Sequence, residues 1–334
     1  MTVPAGRVLV LGGTGFLGSH LVERLARGGT AVRVASARGR WPWGSLPAGV
    51  ETTRFDLAEV TAPRDWDALI EGSPRIVNLA GVLQRPGRAR DLYRRVHVDG
   101  PRHLLAAAVR AGVPRRIVHV STTGVLGPTG PEPLAEDAPP RPATIYERTK
   151  AEGERLAREG RRPGLEVVVI RPGLVYGERD LHLLGLWRAI ASATFRTIAG
   201  GRARWQPVHV DDVARALQAA IAAPGVDGEI FHVAGREVIP IAELAARIAR
   251  LLGTAVKGPG LPLPLALAAG VALEALLLPF GIEPPLSPAR VRTLTQDRLY
   301  RIDHVRDVLG LVPEVDLDAG LARAHAWYRS HGHL

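Results

Sequence analysis

Residues 8–18 read VLVLGGTGFLG, a short apolar run that leads directly into a glycine-rich turn. The run is typical of a buried strand, and the residues after the turn follow a helical period. Glycines at such a junction let the chain turn tightly and let its backbone approach a pyrophosphate at the helix N-terminus. The alternative is an ordinary glycine-rich strand-to-helix turn. The residues predicted to contact a dinucleotide here are Gly12, Thr14, Gly15, Phe16, Leu17 and Gly18.

The glycine turn opens a longer alternation of short β-branched runs and Ala/Leu/Arg-rich segments. This βαβα order predicts a parallel sheet with helices on both faces. The predicted strands are Arg7 to Leu11, Ala31 to Ala35, Arg75 to Leu79, Ile117 to Ser121 and Glu166 to Arg171. The predicted helices are Phe16 to Arg27, Arg102 to Ala111 and Tyr146 to Arg158.

The alternation breaks after Pro172. Beyond it we predict strands over Trp205 to Val210 and Ile230 to Val233, and helices over Leu181 to Ser192, Ile241 to Leu252 and Leu263 to Leu278. The fold predicted is α/β, a Rossmann-type doubly wound parallel sheet over residues 1–171 that is completed by residues 205–235. A smaller, interleaved C-terminal substrate domain is predicted over residues 172–204 and 236–334.

Composition limits the chemistry that the chain can perform. With 334 residues, 46% of them hydrophobic and 23% charged, it can bury a full core. The absence of cysteine excludes disulfides, thiolate zinc sites, iron–sulfur clusters and cysteine nucleophiles. Lys plus Arg minus Asp plus Glu is 43 minus 33, or +10, which alone suggests a nucleic acid or an anionic membrane as partner. Arginine carries almost all of this charge, since the lysines are Lys150 and Lys257.

Two apolar segments bear on location. The run at residues 8–11 is short and continues into glycines, which does not resemble a secretion signal, so a cytoplasmic location is expected. The longest apolar stretch, Leu261 to Phe280, contains three prolines and Glu274, which argues against a transmembrane helix.

The end of the second predicted strand bears on the choice between NAD and NADP. It reads Ser36-Ala37-Arg38, without a carboxylate to accept a hydrogen bond from the ribose 2′-hydroxyl. Ser36 and Arg38 can hold a 2′-phosphate instead, so NADP is favoured over NAD, although Arg38 can equally be a solvated surface charge. Asp56 and Leu57, at the end of a further strand, are predicted to lie beside the adenine, with a cap or turn as the alternative role of Asp56.

A hydroxyl-bearing strand end and a Tyr-x-x-x-Lys pair carry the candidate chemistry. Tyr146 and Lys150 are four residues apart, and therefore lie on one face of the predicted helix. A phenol with an ordinary pKa near 10 is a poor base at neutral pH, but a neighbouring ammonium and an oxidised nicotinamide both stabilise its phenolate. Tyr146 is thus a candidate proton donor and acceptor. Thr122, in Ser121-Thr122-Thr123, can hold the substrate oxygen while hydride moves at the same carbon.

Taken together, these motifs resemble the extended short-chain dehydrogenase/reductases, the NAD-dependent epimerase/dehydratase superfamily, over nearly the whole chain. The segments that carry the resemblance are Gly12/Gly15/Gly18, Asn78-Leu79-Ala80-Gly81, Ser121 to Gly127, Tyr146 with Lys150, and Arg171 to Gly177. It implies catalytic roles for Thr122, Tyr146 and Lys150 and adds Leu79, Ala80, Gly81, Tyr146, Lys150, Pro172 and Val175 to the cofactor contacts. It also implies a homodimer joined through helices near Arg88 to Ala111 and Tyr146 to Arg158.

The C-terminal half resembles the 3β-hydroxysteroid dehydrogenase-like and dihydroflavonol reductase-like branch. The shared features are the apolar segment 263–278 and the ending Leu309-Gly310-Leu311-Val312-Pro313. A lipid-like substrate needs an apolar wall or a surface that can touch a membrane, so peripheral membrane contact through 263–278 is one role for this segment. A buried core helix or a dimer helix is the alternative.

The chain departs from the family pattern at two positions. His97 stands where the family often has an asparagine, so it either substitutes for that residue or simply packs. Trp205 stands where nucleotide-sugar members have a diphosphate-binding arginine, and the adjacent Arg204 points elsewhere on a strand. Asp211 or Asp212 is predicted to cap the following helix, and no metal site is predicted, because His209 lacks a further ligand set.

These features favour an NAD(P)-dependent oxidoreductase that acts on a secondary alcohol or ketone, with a sterol-, terpenoid- or lipid-like small molecule as one substrate class. A nucleotide-sugar epimerase or dehydratase is the first alternative. The second alternative is a subunit that binds the cofactor but turns over no substrate. It is suggested by His97, which stands where the family often has an asparagine. A dinucleotide accounts for part of the positive charge, so no nucleic acid partner is predicted.

Overall fold

The described part of the chain forms eleven strands and twelve α-helices. The computed structural model describes residue 3 and residues 6–83, 89–112, 114–256, 258–280, 284 and 286–334. The strands are β1 (Val8–Leu11), β2 (Val32–Ser36), β3 (Val50–Arg54), β4 (Arg75–Asn78), β5 (Arg116–Val120), β6 (Glu166–Pro172), β7 (Leu174–Tyr176), β8 (Arg204–Trp205), β9 (Pro207–His209), β10 (Ile230–Val233) and β11 (Ile239–Pro240). The helices are α1 (Phe16–Arg27), α2 (Pro63–Ile70), α3 (Ala89–Arg94), α4 (Gly100–Ala111), α5 (Ile145–Glu159), α6 (Leu184–Ala191), α7 (Val210–Ala222), α8 (Ile241–Leu251), α9 (Leu263–Leu277), α10 (Pro288–Leu294), α11 (Asp303–Leu309) and α12 (Leu317–Ser330).

The central sheet has seven strands in the order β10-β6-β5-β4-β1-β2-β3, and all of its pairings are parallel. Side chains alternate between its faces, as the period of two in a strand requires. Val8 and Val10 pack with α1, α7 and α11, whereas Leu9 and Leu11 pack with α2 and α4. The predicted Rossmann-type doubly wound sheet is therefore confirmed.

The predicted strand over Trp205 to Val210 is corrected by the structure. It consists of two short strands, β8 and β9, which pair with β11 and β7 and do not join the seven-stranded sheet. Pro207 lies at the break, and its missing N–H prevents a continuous ladder. The strand β10, by contrast, completes the large sheet beside β6.

The C-terminal half contributes two further packed clusters. One joins α6, α8 and α12 around Trp187 and Tyr328. The other is small, with Ile198, Ala266 and Val291 at its centre, and it holds α9 against α10. Ala266 and Gly270 are the buried residues of α9. Of the alternatives left open for 263–278, a buried core helix is therefore wrong.

Candidate active and cofactor site

The predicted site residues converge on one edge of the central sheet. Gly12 follows β1, Ser36 ends β2, Leu79 follows β4, and Thr122 comes two residues after β5. The carboxyl ends of parallel strands lie at the same edge, which is where ligands bind in open α/β sheets. Strands distant in sequence therefore bring these residues together.

The glycine turn has the geometry of a cradle for phosphates. Gly12 has a φ of +77°, and a Cβ there would lie 3.0 Å from the backbone of Ala80. A Cβ on Gly18 would lie 2.4 Å from the Gly12 carbonyl oxygen, so α1 can approach the turn only without a side chain. Among the described residues, no side chain caps the start of α1 and no acidic residue stands in its first turn. Its N-terminal N–H groups are thus suited to bind the phosphates of a dinucleotide.

Some predicted cofactor contacts have side chains that belong to the core instead. Leu17, Leu79 and Val175 pack against the cluster formed with α1 and α7. Leu57 is buried in the opposite cluster, where a Cβ on Gly100 would lie 2.9 Å from it. These side chains help to fix the backbone at the sheet edge.

Near the end of β2, one arginine side chain has no ion-pair partner in the described part of the chain. Ser36 is buried, and its Oγ accepts a hydrogen bond from the Gly39 N–H at 3.1 Å. Arg38 is exposed and has no ion-pair partner among the residues that the structure describes. Asp56 accepts a hydrogen bond from the Ala58 N–H at 2.9 Å, which is the turn role that the sequence left open.

A contact that the sequence did not predict holds the glycine turn from outside. The indole Nε1 of Trp43 donates to the Thr14 carbonyl at 2.9 Å, and the guanidinium of Arg179 lies 5.1 Å from the Trp43 ring centroid. Arg179 in turn donates to Ser19 at 3.1 Å and pairs with Glu23 at 2.6 Å on α1. The local sequence pattern could not predict this contact, because it joins three segments that are distant in the chain.

Tyr146 and Thr122 meet at the centre of the site. Thr122 lies beside the Tyr146 hydroxyl, and its Oγ1 accepts a hydrogen bond from the Gly124 N–H at 3.1 Å. Burial, with a further contribution from the Glu147 carboxylate, raises the pKa of Tyr146 to about 12, although the nearby Thr122 hydroxyl opposes this shift. The phenol therefore carries its proton at neutral pH in the protein without cofactor.

Lys150 lies one helical turn from Tyr146 and is buried. Its Nζ donates to the Val120 carbonyl of β5 at 2.6 Å. Burial lowers the pKa of Lys150 to about 8, and the nearby Glu154 carboxylate limits the drop. The ammonium form still predominates at neutral pH, as the sequence-based role for Lys150 requires.

His97 is buried and packed beside Tyr146. It lies in a π-helical turn, Arg95–Asp99, between α3 and α4. Its Nε2 accepts from the Val82 N–H at 3.0 Å, so the proton is on Nδ1, which lies 3.0 Å from Thr149 Oγ1. Burial, with Lys150 nearby, lowers the pKa of His97 to about 2. Both nitrogens are occupied, and the ring stands edge-on to Tyr146 with centroids 5.5 Å apart.

A buried ion pair fixes the helix that carries Tyr146. Arg171 of β6 binds Glu154 of α5 with two hydrogen bonds, at 3.0 and 2.6 Å, and donates to the Glu136 carbonyl at 2.9 Å. The two side chains are almost fully buried. Arg171 was singled out only as part of a motif, and the structure gives it the role of anchoring α5 to the sheet.

The region that would meet a nucleotide sugar has no free cation on β8. Trp205 donates from its indole to the Gln296 carbonyl at 3.3 Å. The adjacent Arg204 is bound to Asp297, with its Nη2 2.6 Å from Oδ2. The substitution at Trp205 is therefore not compensated by its neighbour.

The predicted cap of α7 by Asp211 or Asp212 is wrong. His209 is the N-cap, and its Nδ1 accepts from the Asp211 N–H at 3.2 Å. Asp212 instead accepts from the Glu314 and Val315 N–H groups, at 2.9 and 3.1 Å, since its side chain is turned toward the C-terminal segment. In the described part of the chain, no cluster of three or more metal-ligating side chains is present.

Comparisons with known proteins identify related sequences and folds. A model of the family described as NAD dependent epimerase/dehydratase matches residues 8–234. A sterol demethylase protein B of Methylococcus capsulatus is 32% identical over 336 residues, which cover 97% of this chain and 98% of that protein. A 4-hydroxy-2-methyl-3-oxo-4-farnesyl-3,4-dihydroquinoline-1-oxide ketoreductase of Stigmatella aurantiaca is 30% identical over 94% of each chain. Among solved structures, the dTDP-glucose 4,6-dehydratase DesIV of Streptomyces venezuelae, solved with NAD bound, is 25% identical over 97% of each chain, with a TM-score of 0.76.

Proposed function

Because the chain belongs to the NAD dependent epimerase/dehydratase family, we propose that it is an NAD(P)-dependent oxidoreductase that interconverts a secondary alcohol and a ketone on an apolar substrate. The observation that carries this proposal is the convergence of three side chains, since Thr122 lies beside the Tyr146 hydroxyl and the buried Lys150 ammonium lies one helical turn away. The motif resemblance to this family is confirmed by the match.

The residues support proton transfer at the substrate oxygen. A bound nicotinamide would supply or accept the hydride at the reacting carbon. In the reductive direction, Tyr146 gives its hydroxyl proton to the carbonyl oxygen, and Thr122 holds that oxygen by a hydrogen bond. In the oxidative direction, Tyr146 must first lose its proton, and the Lys150 ammonium stabilises the resulting phenolate.

Two observations favour an oxidoreductase over a nucleotide-sugar epimerase or dehydratase, which is the runner-up. Trp205 and the Asp297-bound Arg204 leave no free cation on β8 for a diphosphate. Two relatives at 30% identity or more are named for sterol and farnesyl-bearing compounds, which are apolar. A cofactor-binding subunit without turnover is disfavoured, because the candidate residues Tyr146, Lys150 and Thr122 lie close together.

The experiment that tests the function compares Tyr146→Phe with the unaltered protein. We expect a 10²- to 10⁴-fold loss of kcat on a ketone substrate found by screening sterol, prenyl and alkyl ketones with NADPH or NADH. Cofactor affinity should fall far less than kcat, because Tyr146 is one of many predicted cofactor contacts. Tyr93→Phe is the matched control, because Tyr93 lies beside Tyr146, with ring centroids 6.4 Å apart, but outside the proposed proton path.

Two results would contradict the proposal. One is full turnover of Tyr146→Phe on an identified substrate. The other is a thermal shift with UDP- or dTDP-sugars and none with any ketone in the panel, which would favour the epimerase or dehydratase.

For the cofactor, we propose NADP rather than NAD. The exposed, unpaired Arg38 beside Ser36 is suited to a 2′-phosphate, and the end of β2 offers no carboxylate for a 2′-hydroxyl. Titration should show tighter binding of NADPH than of NADH, and Arg38→Gln should remove most of that difference.

We also propose a homodimer, in which α4 and α5 of each subunit form a four-helix contact. These helices lie side by side in the described structure, although Arg88, at the start of the predicted interface, falls outside the described residues. Light scattering at micromolar concentration should give twice the mass of 35.8 kDa. A cytoplasmic location stays a prediction, which fractionation of cells that express the full chain would check.

A further inference from the structure

The helix α9 presents an unusually apolar surface to solvent. Its large side chains include Leu265, Val271 and Leu276, which are 56%, 58% and 62% exposed, and Phe280 just beyond it is 75% exposed. Within the window Leu263–Phe280 the mean hydropathy is 2.0, and 11% of the window is buried. Contiguous apolar surface of this kind marks an interaction site in a folded protein.

The prolines of this stretch do not interrupt the helix. Pro264 lies in the first turn of α9, where its missing N–H is not needed, and Pro279 lies in the 3₁₀ turn Leu278–Phe280. By length and composition alone, Leu263–Phe280 could therefore cross a membrane, contrary to the expectation from its prolines.

The packing of α9 favours an orientation along a surface. Its 15 residues span about 22 Å, less than the roughly 30 Å of a hydrocarbon core. Ala266 and Gly270, one turn apart, hold it against the body of the protein. A Cβ on Gly270 would lie 3.0 Å from the Pro288 nitrogen, so α9 is in close contact with α10 along its middle.

Three arginines without acidic partners in the described part of the chain lie on segments next to this helix. Arg196 and Arg202 flank the segment that bonds to Leu261, just before α9, and Arg292 lies on α10. All three are exposed, and none has an acidic partner within 4.0 Å among the described residues. An anionic headgroup layer would neutralise these arginines, whereas a second copy of the chain would bring like charges together.

The chain after α10 contacts the helix that carries Tyr146. Four residues after α10, Arg298 pairs with Glu147 at 3.1 Å. Glu147 adjoins Tyr146 in α5. A bilayer contact at α9 would therefore place the active site close to a reservoir of apolar substrate.

We propose that α9 inserts in the plane of an anionic lipid bilayer, with Arg196, Arg202 and Arg292 on the headgroups, so that the enzyme takes its apolar substrate from the membrane. The inference rests on the proposed function for its substrate, but the docking surface stands on the exposed helix and its arginines. Binding to vesicles and turnover can therefore fail separately.

The test is flotation of the full chain with vesicles of phosphatidylcholine, with or without 30% phosphatidylglycerol. We expect the protein to float with both, and at least tenfold more tightly with the anionic vesicles. Leu276→Glu should weaken binding at least tenfold without lowering the Tm, because this side chain is exposed. Val308→Glu, at an exposed apolar position on α11, is the matched control and should bind normally.

Charge and activity are tested separately. Arg196→Gln with Arg292→Gln should remove the preference for anionic vesicles. Leu276→Glu should keep turnover on a short, water-soluble ketone, so loss of flotation with retained turnover supports the proposal. If no ketone in the panel is turned over but flotation behaves as expected, the proposed function fails while the docking surface stands.

Three outcomes would overturn it. The first is a protein that floats with neither vesicle. The second is flotation that persists after an alkaline carbonate wash, which would indicate a spanning helix. The third is a Leu276→Glu variant that becomes monomeric and still floats, which would show that a second copy covers α9.

Discussion

Asp180 is a buried carboxylic acid whose environment disfavours its charge. One oxygen accepts hydrogen bonds from the His182 and Leu183 N–H groups, at 2.8 and 3.3 Å, and the other has no partner in the described structure. Burial raises the pKa of Asp180 from 3.8 to about 7, and those two N–H groups limit the rise. The folded protein therefore binds a proton that the unfolded chain releases between about pH 4 and pH 7.

This difference gives a pH dependence with a definite sign. Where the native state holds more protons than the unfolded state, the free energy of unfolding falls as pH rises, by about 1.4 kcal/mol per unit of pKa difference. We expect Asp180→Asn to remove this fall and so to unfold at higher urea than the unaltered protein at pH 8, but not at pH 4. Asp137→Asn, at an exposed position, controls for the loss of one negative charge. Equal urea midpoints for both proteins at pH 8 would contradict the prediction.

Single residues differ in how far the sequence could assign them. Tyr146 and Lys150 lie four apart on one helix, so local spacing was enough to place them together. The side chains of Asp56 and Asp212 could cap a helix, stabilise a turn or bind a ligand. Which of these roles each takes depends on the backbone N–H groups that folding brings beside it. Trp43 could not be assigned, because its partners, Thr14 and Arg179, come from other parts of the chain.

At the scale of elements, the contact between α5 and the π-helical turn depends on a glycine. A Cβ on Gly153 would lie 2.0 Å from the His97 carbonyl oxygen, which the wide turn directs at α5. Neither backbone can move without disturbing the helix that carries Tyr146. The π-helical turn and the glycine therefore act as one fitted contact.

We expect Gly153→Ala to lower the free energy of unfolding by about 1–3 kcal/mol or more, because overpacking displaces α5. The kcat should fall as well, since Tyr146 moves with the helix. Gly185→Ala is the matched control: it lies in α6 with nothing within 4 Å of a Cβ, and should be neutral or stabilising by up to about 1 kcal/mol. Urea unfolding measures both, and a Gly153→Ala protein as stable as Gly185→Ala would show that the contact is not tight.

Long elements with a clear period could be predicted, and short ones could not. The helices α1 and α5 and the strands of the central sheet follow from local patterns of apolar residues. The strands β7, β8, β9 and β11 have two or three residues each and exist only through their pairing with distant partners. The π-helical turn at His97 has no signal in the apolar pattern, because it depends on the fit against Gly153.

At the scale of the whole molecule, ion pairs join the C-terminal half to the cofactor side of the site and to the helix that carries Tyr146. On the cofactor side, Arg323 of α12 pairs with Glu178 and Asp211, at 2.7 and 2.6 Å, and Asp211 contacts His20 of α1. On the other side, Arg298 pairs with Glu147 beside Tyr146. The order of elements in the sequence predicted an interleaved second half, but these ion pairs depend on tertiary contacts.

The pair between Arg298 and Glu147 links this half of the molecule to proton transfer. Both side chains are largely buried, and Glu147 also accepts hydrogen bonds from the Ala143 and Thr144 N–H groups, at 2.8 and 2.9 Å. Arg298→Gln would leave the carboxylate buried without its cation. Breaking a buried pair in this way costs about 3–5 kcal/mol of stability, and the two remaining hydrogen bonds place the loss at the lower end.

The same variant should change the two reaction directions unequally. An uncompensated Glu147 carboxylate raises the pKa of Tyr146 further, so oxidation, which needs the phenolate, should slow more than reduction, which needs the phenol. The profile of kcat against pH in the oxidative direction should shift to higher pH. Arg301→Gln is the control, since its pair with Asp303 at 3.2 Å is exposed and worth at most about 1 kcal/mol. Equal loss of kcat in both directions, with no shift of the profile, would mean that Arg298 only holds the fold together.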